Sequence, residues 1–438
     1  MRLLVTTMSL FVLFTTARPS WGQDWVDLTP VAGPAPAARA LASAVFDSQE
    51  RRMVVFAGRD ASVTRNDVWA FDLDTHAWTD LTPLAGPAPI ARLTPVSVYD
   101  PVGHRMITWS GQGTGGTFFN DAWEFDLAAN TWTQIAPTGG PPNIRYGAAG
   151  VLDPIAGDLV TFAGFTDQGR FEDVWRFNAT AVTWTDVAPL TGPIKRCLHS
   201  ASYDAAGHRF ILYGGQSGGP LGDVWAFDLT LNAWTKLTPV TGPTGRWFVA
   251  HVYDAANHRA TIFGGNTGSS ETDEAWAIDL ASNQWFQLSP SGTPPTAREG
   301  AAAVYDGAND RMVVFGGRNG GTPNNEVWSL DNLSDAPTGA GAGSPVEPAS
   351  LHPNHPNPFN PSTAIVYDVA EKGRVSLRIY DVGGRLIRTL LDDNKPTGRY
   401  EVVWDGRNDS GEAVSSGVYF VTLRAGVFSA VNKAVLLK

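Results

Sequence analysis

The sequence has almost no cysteine, few basic residues and no long apolar run after its first residues. Cys197 is the only cysteine, which excludes an intramolecular disulfide as a source of stability. Lys and Arg number 32 against 43 Asp and Glu, and the net charge of -11 argues against a nucleic-acid partner, because phosphates are bound by basic surfaces. Since a membrane-spanning helix needs roughly 20 apolar residues, we expect no transmembrane segment in the mature chain.

The N-terminus has the pattern of a signal peptide. An apolar run from Leu3 to Phe14 is too short to span a membrane but suits a signal-peptide core. Ser20 and Gly22 form a small-x-small cleavage pattern, which predicts a signal peptide of residues 1–22, with a cut after Ala17 as the alternative. We therefore expect the mature protein to leave the cytoplasm.

Glycine, proline and tryptophan are abundant, at 46, 30 and 16 residues, as is typical of short strands joined by tight turns. One tryptophan and one arginine recur every 50 to 54 residues. The tryptophans are Trp69, Trp123, Trp175, Trp225, Trp276 and Trp328. The arginines are Arg39, Arg92, Arg145, Arg196, Arg246 and Arg298. Two series in the same register predict a repeat architecture with six copies of one unit.

Each repeat divides into four predicted strands. The first is rich in small residues and ends at an aspartate such as Asp204, and the second is apolar and stops at Gly-Gly or Ala-Gly. The third contains the recurring tryptophan, and the fourth begins at a second tryptophan, such as Trp234, and ends near a proline. Four antiparallel strands in a repeat of this length predict one blade of a β-propeller.

The repeats resemble those of the kelch family. A glycine doublet such as Gly214-Gly215 lies upstream of paired aromatics, here Trp225 and Trp234, and the resemblance covers residues 24–332. Three repeats replace the doublet, with Ala57-Gly58, Ser110-Gly111 and Ala163-Gly164. The resemblance implies an all-β kelch propeller.

The two ends of the repeat region are complementary. The sixth repeat stops at Asp331, after its third strand, and has no second tryptophan. Residues Trp25 to Pro30 match the fourth-strand pattern of Trp78 to Pro83. We therefore expect the N-terminal strand to complete the last sheet and close a six-bladed propeller over residues 23–334, which would leave no open edge.

A different pattern follows the repeats. Residues 335–350 are small, rich in Pro and Gly and aperiodic, which indicates a linker. Residues 351–438 contain alternating short strands around Trp404, which predicts an immunoglobulin-like β-sandwich. An Asp-rich turn that starts at Asp405 lacks the spacing of a calcium loop, and tight-turn chemistry explains it better.

The C-terminal segment resembles the type A sorting domain of type IX secretion and the related flagellar hook-cap Ig-like module. The matching motifs are Pro356-Asn357-Pro358-Phe359, Trp404-Asp405-Gly406, Ser416-Gly417-Val418-Tyr419 and the terminal Lys438. The resemblance implies export across the outer membrane of a Gram-negative bacterium, with the tail as the contact for the secretion machinery. We therefore expect a secreted or cell-surface protein.

The recurring arginines are the candidate ligand-binding residues. Strand direction puts them on one face of the propeller, near the channel mouth, together with the loops between second and third strands. Six guanidinium groups there could bind carboxylates or sulfates in bidentate fashion, as in an acidic polysaccharide or an acidic protein loop. The candidate residues are Arg39, Arg92, Arg145, Arg196, Arg246, Arg298, Tyr146 and Trp247.

A structural role for the same arginines is the alternative. An acid lies two residues before each recurring tryptophan, on the same face, and could neutralise an arginine within or between blades. The acids are Asp67, Asp121, Asp173, Asp223, Glu274 and Glu326.

The histidines do not form an evident metal site. Those between first and second strands are expected to be turn and surface residues, and His199 and His251 lie on innermost strands without further ligands. The turn histidines are His104, His208 and His258. Cys197 beside His199 invites comparison with copper-radical oxidases built on kelch blades, but the remaining ligands are missing. We expect no metal and no cofactor.

These observations favour a non-catalytic binding propeller whose ligand is an extracellular protein or glycan. The alternative is a sugar-directed enzyme, resembling a mutarotase or a copper oxidase, that uses the channel mouth. No nucleophile and base can be paired in the sequence.

Overall fold

A computed structural model describes two domains, which divide near residue 338. The described residues are 23–239, 241–334, 350–352, 354, 356–369, 373–395, 398–426 and 428–437. The predicted signal peptide and nearly all of the predicted linker lie outside them.

The N-terminal domain is built of four-stranded antiparallel sheets, and the described residues 24–331 contain six of them. Short strands rich in Val, Phe and Trp, separated by turns that contain Gly, Asp and Asn, explain this regular pattern. From the innermost strand outward, sheet one has Ser43–Asp47, Arg52–Phe56, Val68–Asp72 and Trp78–Asp80. Sheet two has Val96–Asp100, Arg105–Trp109, Ala122–Asp126 and Thr131–Ile135. Sheet three has Ala149–Asp153, Asp158–Phe162, Val174–Asn178 and Thr183–Asp186.

The remaining sheets have the same order. Sheet four has Ser200–Asp204, Arg209–Tyr213, Val224–Asp228 and Ala233–Leu237. Sheet five has Ala250–Asp254, Arg259–Phe263, Ala275–Asp279 and Gln284–Leu288. Sheet six has Ala302–Asp306, Arg311–Phe315, Val327–Asp331 and, as its outer strand, Asp24–Asp27. Loops add two small hairpins, Phe165–Thr166 with Gly169–Arg170 and Arg318–Asn319 with Thr322–Pro323, and one 3-10 turn, Thr114–Gly116.

The sheets stand around a common axis. Each innermost strand neighbours the innermost strands of the two adjacent sheets, and sheet six returns to sheet one, so the six strands form a closed ring. The second strands are almost completely buried, as in Met53 to Phe56. The core therefore lies between the sheets and not inside any one of them.

One aromatic contact recurs at every boundary between sheets. The last residue of a second strand packs against the outer-strand tryptophan of the next sheet, with ring centroids 4.7 to 5.3 Å apart. The pairs are Phe56–Trp132, Trp109–Trp184, Phe162–Trp234, Tyr213–Trp285, Phe263–Trp25 and Phe315–Trp78. Tilted and edge-on arrangements of this kind add to the energy of burial.

The predicted pairing of the two ends is observed. Strand Asp24–Asp27 is antiparallel to Val327–Asp331, with Trp25 opposite Leu330. Trp25 is buried and packs on Phe263 of sheet five, so it takes the place that Trp78 has in sheet one.

The C-terminal domain has two antiparallel sheets. One contains Ser350–Leu351, Thr363–Val369 and Gly398–Trp404. The other contains Leu386–Lys395, Gly373–Asp381, Gly417–Ala425 and Phe428–Leu436. Trp404 is completely buried between Phe359 and Tyr419, at ring distances of 5.2 and 5.1 Å, which confirms its predicted place in the core.

Removal of residues 23–30 should lower the melting temperature of the N-terminal domain markedly, because sheet six loses its outer strand and Phe263 loses its aromatic partner. Trp25→Ala alone should cost about 3–5 kcal/mol. Val26→Ala, a change at a partly exposed position of the same strand, is the matched control and should have a much smaller effect. Thermal unfolding followed by circular dichroism measures all three. An unchanged midpoint in the truncated protein would contradict the closure.

Candidate binding face

The six recurring arginines stand where the innermost strands begin, on the face that carries the loops between second and third strands, here called the loop face. All six are buried, with at most 1% of their surface exposed. Each guanidinium pairs with the acid that precedes the recurring tryptophan of its own repeat. In Arg145, Nη1 and Nη2 donate to the two carboxylate oxygens of Asp173 at 2.6 and 2.8 Å. Nη1 also donates to the carbonyl of Ala163, and Nε to that of Asn143.

The ion pairs also shift the ionisation of the acids. Burial by itself would raise the pKa of Asp67, but hydrogen bonds and the charge of Arg39 outweigh it and hold that pKa below its usual value. The pKa values of Asp121, Asp223 and Glu274 are lowered in the same way. The geometry is the one expected of the structural alternative. Ligand binding by the six arginines stays a prediction, and a ligand would have to displace their protein partners.

The main chain of each arginine joins the neighbouring repeat. The amide of Arg246 donates to the carbonyl of Leu221, and its carbonyl accepts from the amide of Gly215. Gly214 has a φ of +66°, and a Cβ there would lie 2.5 Å from the same carbonyl oxygen, which explains a glycine at this place. The side chain of each recurring arginine thus bonds within its own repeat, whereas its backbone forms hydrogen bonds with the preceding repeat.

Variable side chains surround this fixed frame. In every repeat the residue after the arginine forms a bridge with the residue after the Gly-Gly or equivalent position. The first set is Ala40, Leu93, Tyr146, Cys197, Trp247 and Glu299. The second set is Arg59, Gln112, Phe165, Gln216, Asn266 and Arg318. The backbone pairing is therefore constant while the side chains at these positions differ from repeat to repeat, and those that are partly exposed, such as Tyr146, Phe165 and Trp247, are accessible on the loop face.

The backbones of the six repeats approach one another around the axis at the second residue after each recurring arginine. The residue two positions after each arginine has a φ between 50° and 65°. Five of these residues donate their amide to the carbonyl of a neighbour in the ring at 2.7 to 3.0 Å. The sixth link differs, because the amide of Gly147 donates to Oγ1 of Thr94 at 3.2 Å. This ring borders a cavity of about 150 Å³ that His199 also lines.

Three aromatic rings meet on one sector of the loop face. Tyr146 stacks on Phe118 and meets Phe165 edge-on, both at 5.7 Å between centroids. The guanidinium of Arg170 lies 5.5 Å from the Phe165 ring, and its Nη2 donates to the side-chain oxygen of Gln216 at 3.0 Å. All three rings are partly exposed. We call Phe118, Tyr146, Phe165 and Arg170 the aromatic patch.

The sequence predicts only part of this patch. Tyr146 is a candidate because it lies beside an arginine, whereas Phe118, Phe165 and Arg170 are not among the predicted residues. The signal for Phe165 was available, since it directly follows Ala163-Gly164 and therefore occupies one of the variable positions. Trp247 lies two repeats further round, where its backbone pairs with Asn266.

The opposite face, here called the turn face, carries the turns between the first and second strands. A cavity of about 490 Å³ opens there, lined by the innermost strands and by turn residues such as Ser48 and Pro101. We call it the funnel. The fourth residues of the innermost strands surround it, namely Phe46, Tyr99, Leu152, Tyr203, Tyr253 and Tyr305. The sequence does not reveal this ring, because the repeat pattern assigns those residues to strands without showing which way their side chains face.

The turn histidines join neighbouring repeats, which the sequence did not reveal. Nε2 of His104 lies 3.3 Å from a carboxylate oxygen of Asp47, and Nε2 of His258 lies 3.0 Å from one of Asp204. In both cases the aspartate is buried and ends the innermost strand of the preceding sheet. These histidines are therefore contacts between repeats and not simple surface residues.

The two histidines at the innermost strands, His199 and His251, contact other side chains of the propeller. The ring of His251 lies within hydrogen-bonding distance of Ser200 and Ser202, at 3.0 and 3.1 Å. His199 packs edge-on against Phe162, and burial lowers its pKa to about 3. Among the residues that the structure describes, no group of three His, Cys, Asp or Glu side chains could hold a metal ion. Nor does any helix in this described part have the length and apolar character to cross a membrane.

The repeated sheets, their closed ring and the arginine pairs define a β-propeller of the kelch type. A family described as the KLHDC2/KLHL20/DRC7 Kelch-repeats domain matches residues 5–194, 62–253 and 189–338, together more than half of the chain. The chain belongs to this kelch-repeat family. A second family, the FlgD Ig-like domain, matches residues 362–426.

Three curated relatives each match less than half of this chain. The flagellar outer-arm dynein alpha chain of Chlamydomonas reinhardtii is 26% identical over 212 residues, which cover 44% of this chain and 4% of that protein. Multiple epidermal growth factor-like domains protein 8 of Mus musculus is 29% identical over 200 residues, covering 42% and 7%. Kelch domain-containing protein 3 of Homo sapiens is 26% identical over 183 residues, covering 38% and 46%. The match spans less than half the length of each relative.

Arg145→Ala should destabilise the propeller strongly, because Asp173, only 24% exposed, loses its cation. Removing one partner of a buried ion pair costs about 3–5 kcal/mol. Arg145→Lys should recover only part of the loss, since one ammonium cannot form the bidentate pair. Arg59→Ala removes an exposed arginine of the same face and serves as the control. Thermal unfolding decides, and equal melting temperatures for Arg145→Ala and Arg59→Ala would disprove the structural role.

Proposed function

We propose that this protein is a non-catalytic binding propeller that is exported from the cell and holds a protein ligand on its loop face. The aromatic patch carries the proposal. Aromatic and arginine side chains dominate the energy of protein interfaces, and here three rings and one guanidinium lie together on a rigid frame. The presence of kelch repeats in relatives such as Kelch domain-containing protein 3 supports an interaction role.

The arginines that are accessible to a ligand on the loop face favour a ligand with negative charge. The six recurring guanidinium groups are engaged within the protein, so an acidic ligand would be held by others. Arg170 borders the aromatic patch, and Arg59 is exposed at the same face of the first repeat. We therefore propose an extracellular protein segment with apolar anchors and acidic flanks. An anionic glycan is the other outcome of the binding test.

The C-terminal domain supports a proposal for localisation. It has its own core, in which Trp404, Ile365 and Leu377 are completely buried, so it does not depend on the propeller for its hydrophobic contacts. We propose that residues 1–22 direct export and that residues 351–438 serve as a sorting domain of type IX secretion. The protein would then be secreted by a Gram-negative cell or attached to its surface.

Replacement of the aromatic patch should abolish ligand binding without unfolding the propeller. Tyr146→Ala with Phe165→Ala removes two partly exposed rings, and truncation of interface anchors of this kind weakens affinity by about 2 kcal/mol or more each. Capture of surface proteins and glycan arrays identify the ligand, and calorimetry compares the variant with Trp247→Ala, an aromatic change outside the patch. Undiminished binding by the double variant would refute the patch, and turnover of a sugar would favour the enzymatic alternative.

Removal of the tail should separate export from folding. A protein that ends at residue 334 should melt like the propeller of the full chain, because the core of the C-terminal domain is its own. In a host with the type IX machinery it should stay in the periplasm, whereas the full chain should reach the medium or the cell surface. Fractionation followed by immunoblotting measures this. Normal release of the shortened protein would exclude the sorting role.

A further inference from the structure

We propose that the funnel on the turn face binds an organic cation, an alkylated ammonium group, at a site separate from the aromatic patch. The funnel is lined by four tyrosine rings, and carboxylates lie behind it. The lining residues include no Lys, Arg, Asp or Glu.

Three of the four tyrosine rings are held in place by their hydroxyl groups. The hydroxyl of Tyr305 donates to Asp254 at 2.8 Å, and that of Tyr203 lies 3.1 Å from Nδ1 of His208. The hydroxyl of Tyr253 accepts from the amide of Ala206 at 3.4 Å. With these three hydroxyls engaged, the partly exposed rings of Tyr203, Tyr253 and Tyr305 line the opening. The faces of tyrosine rings are electronegative and attract ammonium groups.

The charge behind the rings is unbalanced in one repeat. In four repeats the aspartate that ends the innermost strand pairs with the arginine that opens the second strand. These pairs are Asp47–Arg52, Asp100–Arg105, Asp204–Arg209 and Asp306–Arg311. In sheet five the equivalent Arg259 instead lies 5.7 Å from the ring of Phe286.

No cationic side chain in the described part of the chain forms an ion pair with Asp254. Its carboxylate is completely buried and accepts hydrogen bonds only from neutral groups within the described residues, namely Tyr305, Nδ2 of Asn257 and nearby backbone amides. Burial first, and then the charges of Asp254 and Asp310, raise the pKa of Tyr305. The wall formed by Tyr253 and Tyr305 therefore has a negative potential that a cation would offset.

A neutral sugar fits the funnel less well. The polar groups at its base are already paired, His251 with two serines and Ser97 with Ser43 and Thr108. A ligand with many hydroxyl groups would lose hydrogen bonds to water without replacing them. Burial lowers the pKa of His251 to about 3, so this ring is uncharged at neutral pH and does not repel a cation.

Calorimetry on the full chain with choline and with 3,3-dimethyl-1-butanol tests the proposal, because the two probes share their shape and differ in charge. Choline should bind at least about fivefold more tightly than its neutral isostere, as expected for a cation against aromatic rings. Titration at constant ionic strength removes general salt effects. Equal affinities, binding of a neutral sugar in place of choline, or no binding of choline would each overturn the proposal.

Variants of the funnel locate the site. Tyr253→Leu should weaken choline binding about fivefold, whereas Tyr253→Phe, which keeps the ring, should stay within about twofold of the original. Asp254→Asn removes the carboxylate but leaves an acceptor for Tyr305, and it should also weaken choline binding. This variant provides the test if Tyr253→Leu does not fold. Tyr146→Ala, on the loop face, is the control for the separate site. Unchanged affinity in both Tyr253→Leu and Asp254→Asn would refute the proposal, while loss of binding in Tyr146→Ala would place the cation at the aromatic patch.

Discussion

The pairing between each recurring arginine and the acid before the recurring tryptophan is the interaction on which the propeller depends. It links the start of the innermost strand to the start of the third strand, so it fixes the spacing of strands within a repeat. The same acid also accepts from the indole nitrogen of the tryptophan, as Asp173 does from Trp175 at 2.8 Å. Since the backbone of the arginine binds the preceding repeat, a single residue type sets the geometry both within and between sheets.

The two faces of the propeller use this frame differently. On the loop face, the arginines are hidden and the residues beside them vary, so that one sector can collect Phe118, Tyr146 and Phe165. On the turn face, the fourth residues of the innermost strands are mostly aromatic, and the repeats differ in which group contacts the aspartates behind them. A histidine, an arginine or a tyrosine of the next repeat approaches that aspartate in different repeats. The residues common to all repeats therefore determine the fold, and the residues that differ between repeats determine the chemical character of each face.

Much of the fold could be predicted because its determinants recur along the chain. The all-β class, the pairing of Trp25 with the last repeat and the burial of Trp404 are confirmed, and the acids opposite the arginines were visible as a second periodic series. The aromatic patch and the funnel could not be found in this way. Both depend on which residues of different repeats meet around the axis, and a strand position says nothing about whether its side chain faces a neighbouring sheet or the opening. The contact of His104 with Asp47 was missed for the same reason, because it joins adjacent repeats through their turns.

The N-terminal strand has a consequence for the order in which the molecule assembles. Thr29 and Val327, which exchange hydrogen bonds at the closure, are 298 positions apart in the chain. Bringing together residues so far apart costs chain entropy, which is smaller once the sheets in between are ordered. The first strand of the domain to be synthesised cannot complete its sheet before residues 327–331 have been made, and until then sheets five and six share an incomplete boundary at Phe263. Any machinery that moves this chain before residue 331 has emerged handles an open arc of sheets with a free edge, whereas the closed ring exists only once the whole repeat region is present.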